Sequence, residues 1–212
     1  MALKNVRWLG HSSFVINSET EDITFYIDPY KINTDIIADY IFITHTHYDH
    51  FSFSDVVSIS NKDTKLFAPP DAQPKLKDYI GSVTIVEPNN KYMIEDVIIH
   101  TVPAYTLFSG FHPKSNNWVG YVIEIDGEKY YHSGDTDYID ELNNIKDMEI
   151  YVAMLPVGGT YTMDAKDAAK LANTIKPRYA IPMHYGTIVG SDKDAEEFKK
   201  LYNGETVILD KY

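Results

Sequence analysis

The segment His45-Thr46-His47-Tyr48-Asp49-His50 places four metal-capable side chains within six residues, directly after the apolar run Tyr40-Ile41-Phe42-Ile43. Whatever fold the chain adopts must therefore end a buried strand at a cluster of polar side chains. Residues two apart at a strand end project to the same side, so His45 and His47 can point at one ion. Asp49 and His50 then turn towards a second position. Neutral imidazole and carboxylate are ligands of a borderline cation such as Zn2+, and a carboxylate between histidines can also orient a metal-bound water. The alternative is a histidine-rich, solvated turn, against which three imidazoles abutting an apolar strand argue.

Composition narrows the chemistry. The chain has no cysteine, which removes disulfides, thiolate metal sites and a cysteine nucleophile, and leaves His, Asp, Glu or water for any metal. A formal net charge of -12, with no run of Lys and Arg, argues against sequence-independent binding to a phosphate backbone, so no nucleic-acid partner is expected. The start of the chain, Met1-Ala2-Leu3-Lys4-Asn5-Val6-Arg7, lacks the apolar core of a signal peptide, and no stretch approaches the ~18 apolar residues of a membrane span. A soluble cytoplasmic protein is the expectation. At 212 residues one sizeable core suffices, and 1–212 is read as a single domain.

Short β-rich runs dominate the first and middle parts. Residues 6–9 and 13–16 flank Gly10-His11 as a hairpin, and residues 23–27 and 40–44 read as buried strands. A helix is expected from about Ser54. Further strands are predicted at 83–86, 97–102, 118–125, 129–132 and 150–155, with Asp126-Gly127 as a hairpin turn. Asp164 can cap a helix through about Thr174, closed by Pro177, and Ser191 can cap another from Asp192 to Tyr202. Between them, residues 178–184 form a strand ending in His184. No internal repeat is present, and the order implies sheet layers covered by helices.

Two distant segments can complete the cluster. Tyr130-Tyr131-His132-Ser133-Gly134-Asp135-Thr136 runs from a strand into a turn, and Pro182-Met183-His184-Tyr185-Gly186 has the same form. Each alone is weak, since an Asp after Gly is usually a turn residue and a lone strand-end His usually meets a backbone carbonyl.

Taken in order, Gly10-His11-Ser12-Ser13, Ile27-Asp28-Pro29, the 45–50 cluster, Gly134-Asp135-Thr136 and Met183-His184-Tyr185-Gly186 resemble the metallo-β-lactamase superfamily of metal-dependent hydrolases. The resemblance spans most of the chain. It is narrower to the small branch with uncharacterised bacterial and archaeal hydrolases, ascorbate-6-phosphate lactonase and N-acyl-phosphatidylethanolamine phospholipase D. It implies an α+β fold, the four-layer αββα sandwich, with a two-metal centre along one edge. It further implies that His45 and His47 bind one metal, Asp49 and His50 the other, that Asp135 bridges them and that His184 completes the second site. Two ions ~3.5–4 Å apart could share a hydroxide that attacks a carbonyl or phosphoryl group, with Asp49 orienting it as the catalytic residue.

One departure matters. Many members carry a third histidine on the first metal shortly after a strand resembling residues 98–103, and Tyr105 stands there. Tyr105 could bind weakly, His112 could swing in from the following loop, or one ion with more water could suffice; His112 reads more readily as a loop residue or substrate contact. Asp28 is either a support behind the ligands or a simple Asp-Pro turn. His11 is either near the metals, supporting them or touching substrate, or an exposed hairpin histidine. His132 could shuttle protons or face the core, and His100 reads as structural. Residues 106–117 are a candidate substrate-shaping loop or an ordinary connection. Val157-Gly158-Gly159-Thr160 could offer N–H groups to an anion but reads as a turn.

The chain lacks a Gly-x-Ser-x-Gly elbow, a phosphate-binding loop and a His-Glu-x-x-His helix. The preferred reading is a hydrolase that uses a metal-bound hydroxide to cleave an ester, lactone, amide or phosphodiester bond of a small molecule. The expected cofactor is Zn2+, one or two ions, with Mn2+ or Fe2+ also admitted by the ligand set. The alternatives are an iron-dependent oxidoreductase on the same fold and, third, a non-catalytic metal-binding protein. A homo-oligomer is compatible with the sequence.

Overall fold

The early apolar runs are buried on both faces, and this sets the layering. The computed structural model describes residues 3–108 and 110–212; Met1, Ala2 and, in the expected substrate loop, Ser109 lie outside the described residues. Strands β1 (Val6–Gly10), β2 (Ser13–Asn17), β3 (Thr24–Ile27), β4 (Tyr40–Phe42), β5 (Lys65–Ala68) and β6 (Ser82–Ile85) form one sheet in chain order. β1, β2 and β3 pair antiparallel, and β3 to β6 pair in parallel. Phe14, Ile16, Phe25, Ile27, Phe42 and Phe67 enter one core. Their strand neighbours Val15, Tyr26, Ile41 and Leu66 enter another, closed by Val56, Ala72 and Leu76. This is the period-two alternation of a strand with both faces apolar, as a covered parallel sheet requires. The cover is helix α1 (Phe53–Ser58) and the 3-10 helix Pro70–Leu76.

The second sheet has the order β13-β12-β11-β10-β9-β8-β7. Its strands are β7 (Lys91–Ile94), β8 (Val97–Pro103), β9 (Val119–Ile125), β10 (Glu128–His132), β11 (Ile150–Pro156), β12 (Tyr179–Met183) and β13 (Glu205–Thr206). The β7 to β10 pairs are antiparallel and the β10 to β13 pairs parallel. Asp126 and Gly127 both take positive φ, 54° and 78°, the backbone that a two-residue β9–β10 turn needs. Helices α2 (Ala165–Ile175) and α3 (Asp192–Leu201) pack on β11 and β12 respectively. The Asp164 side chain accepts the N–H groups of Lys166 and Asp167 at the start of α2, and Lys176, at φ 49°, ends it before Pro177. Ser191 and Asp194 form a capping box on α3. The layers, helix on sheet on sheet on helix, are those of the αββα sandwich. The helix expected from Ser54 is only one and a half turns long, capped by Ser52. Among the described residues no helix is long and apolar enough to cross a membrane.

Strands β1, β3 and β4 run in one direction, and so do β10, β11 and β12, so the C-terminal ends within each set gather at one edge. There the two sheets are tied together. The His184 N–H donates to the His11 carbonyl at 2.9 Å, and the Val119 N–H to the Thr44 carbonyl at 3.2 Å. Below them the buried Tyr121 hydroxyl donates to the Ile43 carbonyl at 2.8 Å.

Candidate metal centre

Five strand ends each deliver polar side chains to this edge: His11 after β1, Asp28 after β3, the 45–50 segment after β4, Asp135 after β10 and His184 after β12. His11, Asp28 and His184 adopt left-handed backbone, with φ of 53°, 47° and 59°. Such a conformation costs a non-glycine residue ~1 kcal/mol or more, and each of these turns is held by the packed strands around it. Gly158 is also constrained: a Cβ there would stand 2.4 Å from the His184 carbonyl oxygen.

Asp135 is the hub. Its Oδ2 lies 3.1 Å from His184 Nε2, 3.2 Å from His112 Nε2 and 3.8 Å from His45 Nε2, and its Oδ1 lies 3.3 Å from His50 Nε2. His45 Nε2 in turn lies 3.1 Å from His47 Nδ1. Two groups of ligand-capable atoms result, each within 4.8 Å: His45, His47 and His112, and His11, Asp49, His50 and His184. Both groups flank Asp135.

The donor set fits a metal on the structure's own terms. His50 Nε2, both ring nitrogens of His112 and Asp135 Oδ1 are buried without a hydrogen-bond partner. A buried polar atom left unpaired costs ~1–3 kcal/mol, so four together call for a shared partner. The Nε2 atoms of His50 and His112 stand 3.3 and 3.2 Å from the Asp135 carboxylate oxygens without meeting hydrogen-bond geometry. Ligand atoms ~2.1 Å from a tetrahedral zinc stand about 3.4 Å apart, the same spacing.

Asp28 supports this arrangement from behind. It is wholly buried; its Oδ1 accepts the Thr44 N–H at 2.8 Å and its Oδ2 accepts the Thr44 hydroxyl at 2.6 Å. His50 Nδ1 donates to the same Oδ2 at 2.7 Å, which turns Nε2 towards Asp135. Although Asp28, His45 and His50 also lie close enough to share an ion, the Asp28 carboxylate is committed to these three bonds.

Electrostatics separate the imidazoles. Burial lowers the pKa of His45, His47 and His11, leaving them neutral at pH 7. For His50 burial pulls the same way, but the carboxylates of Asp135 and Asp28 outweigh it and hold the pKa well above the ordinary histidine value. Burial works against ionisation of Asp49, yet the hydrogen bond from His11 Nε2 at 3.0 Å and the nearby His50 bring its carboxyl down to about 2. Asp135 is held well below the usual range, burial being overcome by His184, His50 and His112.

Other sequence expectations are placed differently. His112 is buried, 1% exposed, and stands against His45, His47 and Asp135, where the alternative of a loop histidine swinging in puts it. The Tyr105 side chain lies outside the cluster: its hydroxyl donates to Glu141 at 2.9 Å, and Lys114 Nζ sits 4.9 Å from its ring centroid. Only its main chain supports the site, by pairing with the Thr136 hydroxyl beside Asp135. His11 is buried, not an exposed hairpin residue. His132 is buried too, with Nε2 donating to the Ser12 carbonyl and Nδ1 accepting the Gly134 N–H, so both nitrogens are engaged by backbone and neither faces the cluster. Val157 and Gly159 spend their N–H groups on the Met183 and Met163 carbonyls, which makes that segment a turn.

Sequence reading missed Trp118. Its indole packs on His45, His47 and His112, with ring centroids 4.8, 4.9 and 5.5 Å away, and its Nε1 donates to Asp71 at 2.9 Å. Asp71 also accepts the Thr46 hydroxyl at 2.7 Å, inside the histidine segment. No motif signals this residue; only its place before β9 brings it there.

A sandwich with two facing sheets and a histidine–aspartate cluster at the strand ends defines the metallo-β-lactamase class of fold. Residues 5–184 match the model of the beta-lactamase superfamily domain. The chain is 35% identical over 216 residues to a UPF0173 metal-dependent hydrolase of Thermococcus onnurineus, covering 96% of this chain and 94% of that one. Among solved structures it is similar to a candidate metal-dependent hydrolase from Parabacteroides distasonis, with a TM-score of 0.83, 28% identity and coverage of 96% and 91%. It shares the fold of Igni18, a metallo hydrolase of Ignicoccus hospitalis, with a TM-score of 0.78, 23% identity and coverage of 97% and 94%. The chain belongs to the beta-lactamase superfamily, within the UPF0173 metal-dependent hydrolases.

Proposed function

We propose that the protein cleaves an ester, lactone, amide or phosphodiester bond of a small molecule with water, at a centre of two divalent cations. His45, His47 and His112 would hold one ion and Asp49, His50 and His184 the other, with Asp135 between them and zinc as the proposed metal. The observation that carries the reading is the convergence of unpaired, buried histidine nitrogens on one carboxylate, Asp135. Bound there, the cations would supply Lewis acidity, lowering the pKa of water and polarising the oxygen of the bond under attack.

The chain's own groups supply orientation. Asp49 is ionised and tethered through Oδ2 to His11, leaving Oδ1 to accept a hydrogen bond from the attacking water. His11 keeps Asp49 in place and lies beside His184, with ring centroids 4.1 Å apart. Asp28 and Trp118 position ligands without reaching the reacting atoms.

The test is metal analysis of the purified protein coupled to a panel of phosphodiester, lactone, thioester and amide substrates, with His47→Ala as control. Close to two equivalents of metal and turnover lost in His47→Ala are expected. Iron with dioxygen consumption and no bond cleavage would replace hydrolysis with oxidation, and metal without turnover would leave a binding protein.

A further inference from the structure

A cavity of about 350 Å³ opens over the cluster. Its floor is polar, made by His47, Asp49, His112, Asp135 and His184. The remaining lining comes from Tyr48, Phe111, Tyr161 and Ile188, all at least a third exposed. Phe111 and Tyr161 are fifty residues apart in the chain, yet their rings meet edge to face at 4.9 Å and make one wall. Among the described residues no Lys or Arg lines the cavity. An anionic group away from the metals would thus meet no fork of donors of the kind that recognises phosphate or carboxylate. The nearby Val157 and Gly159 N–H groups are already spent within the fold. The volume lies in the range of small-molecule sites, where apolar walls contribute affinity and a few polar groups orient the ligand.

Resting on the hydrolase reading above, we propose that the substrate is a neutral carboxyl ester or thioester whose unbranched apolar acyl chain lies between Phe111, Tyr161 and Ile188. Its carbonyl faces the polar floor. In the reaction the oxygen of water bonds to the acyl carbon, the acyl C–O or C–S bond breaks, and one of the two water protons leaves with the alcohol or thiol. The other is released as the acid product ionises. No electron transfer is involved. Leu107 and Phe108, 55% and 97% exposed in the same loop as Phe111, extend its apolar character.

The experiment has two arms on the zinc-loaded protein. The first measures binding of linear carboxylates from butanoate to octanoate, the product class, by calorimetry. Affinity should rise about two- to fourfold per methylene, the upper figure being the full burial of a methylene group. The second follows kcat/KM for p-nitrophenyl esters of the same chains beside bis(p-nitrophenyl) phosphate. The esters should show the same rise and the phosphodiester should be the poorer substrate. Phe111→Ala and Tyr161→Ala should each flatten both slopes. Affinity independent of chain length overturns the proposal whatever the rates are, and efficient phosphodiester cleavage with flat ester rates overturns it while leaving the hydrolase reading intact. Graded affinity with no cleavage of any substrate instead overturns the hydrolase reading and, with it, the assignment of the cavity to an ester.

Discussion

His50 Nδ1 lies 2.7 Å from Asp28 Oδ2, both side chains wholly out of solvent, and the same carboxylate holds the Thr44 N–H and hydroxyl. One acid thereby sets both the tautomer of His50 and the turn that begins the 45–50 segment. Asp28→Asn, which keeps the shape and loses the charge, should weaken metal binding by about 10- to 100-fold, the usual effect of removing a partner behind a ligand. Competition with a chromophoric chelator measures it. Unchanged affinity would show that His50 is oriented by packing alone.

His112, and not Tyr105, stands with His45 and His47. His112→Ala should lower metal content by about one equivalent per chain, read by elemental analysis. Tyr105→Phe should keep full metal content and cost about 1 kcal/mol of stability for the lost hydrogen bond to Glu141. Loss of metal in Tyr105→Phe would reverse the assignment.

Metal binding should release protons. Asp135 and Asp28, outweighing burial, hold the pKa of His50 well above 6.5, so a proton must leave Nε2 before that nitrogen can bind a cation. His45 and His47, whose pKa values burial lowers, are already neutral near pH 7. Affinity should therefore climb with pH above 6.5, until His50 is neutral, and fall as pH drops. Calorimetric titrations in buffers of different ionisation enthalpy report the number of protons released, and a value of zero at pH 7 would contradict this account.

The chain has two tryptophans, one against each half of the cluster. Trp118 packs on His45, His47 and His112; Trp8 donates to the His11 carbonyl and stacks on Tyr185 at 5.1 Å, next to His184. Trp8→Phe should leave an emission that changes as the first ion binds, and Trp118→Phe one that reports the second. Adding His112→Ala to the Trp8→Phe background should abolish the signal, whereas adding it to the Trp118→Phe background should leave it. Equal loss in both would mean that the two positions fill only together.

The parts of the site lying at strand ends were legible because strand patterning is local. An apolar run followed by metal-capable residues locates His45 to His50 without any tertiary information, the weaker Asp135 and His184 segments gain their place through the family resemblance, and Asp164 and Ser191 announce their helices through side-chain caps. Strands β5, β7 and β13 have no counterpart in the sequence reading, since runs as short as Lys65–Ala68, the exposed-edge Lys91–Ile94 or Glu205–Thr206 carry too little pattern. For His112 the sequence leaves the alternatives open for a related reason. It sits in a connection between β8 and β9 with no periodicity, and only the closing of that loop over β4 buries it against Asp135.

The sequence by itself determined the kind of chemistry: a cysteine-free, acidic chain whose histidines and aspartates follow apolar strands is committed to nitrogen and oxygen ligands at a sheet edge. The tertiary structure decided which of eight histidines converge at that edge. His11, His112 and His132 are all buried, yet two face the cluster and one turns to the Ser12 carbonyl. Ligation depends on where a ring nitrogen points in space, and that direction is set by contacts between residues far apart in the chain.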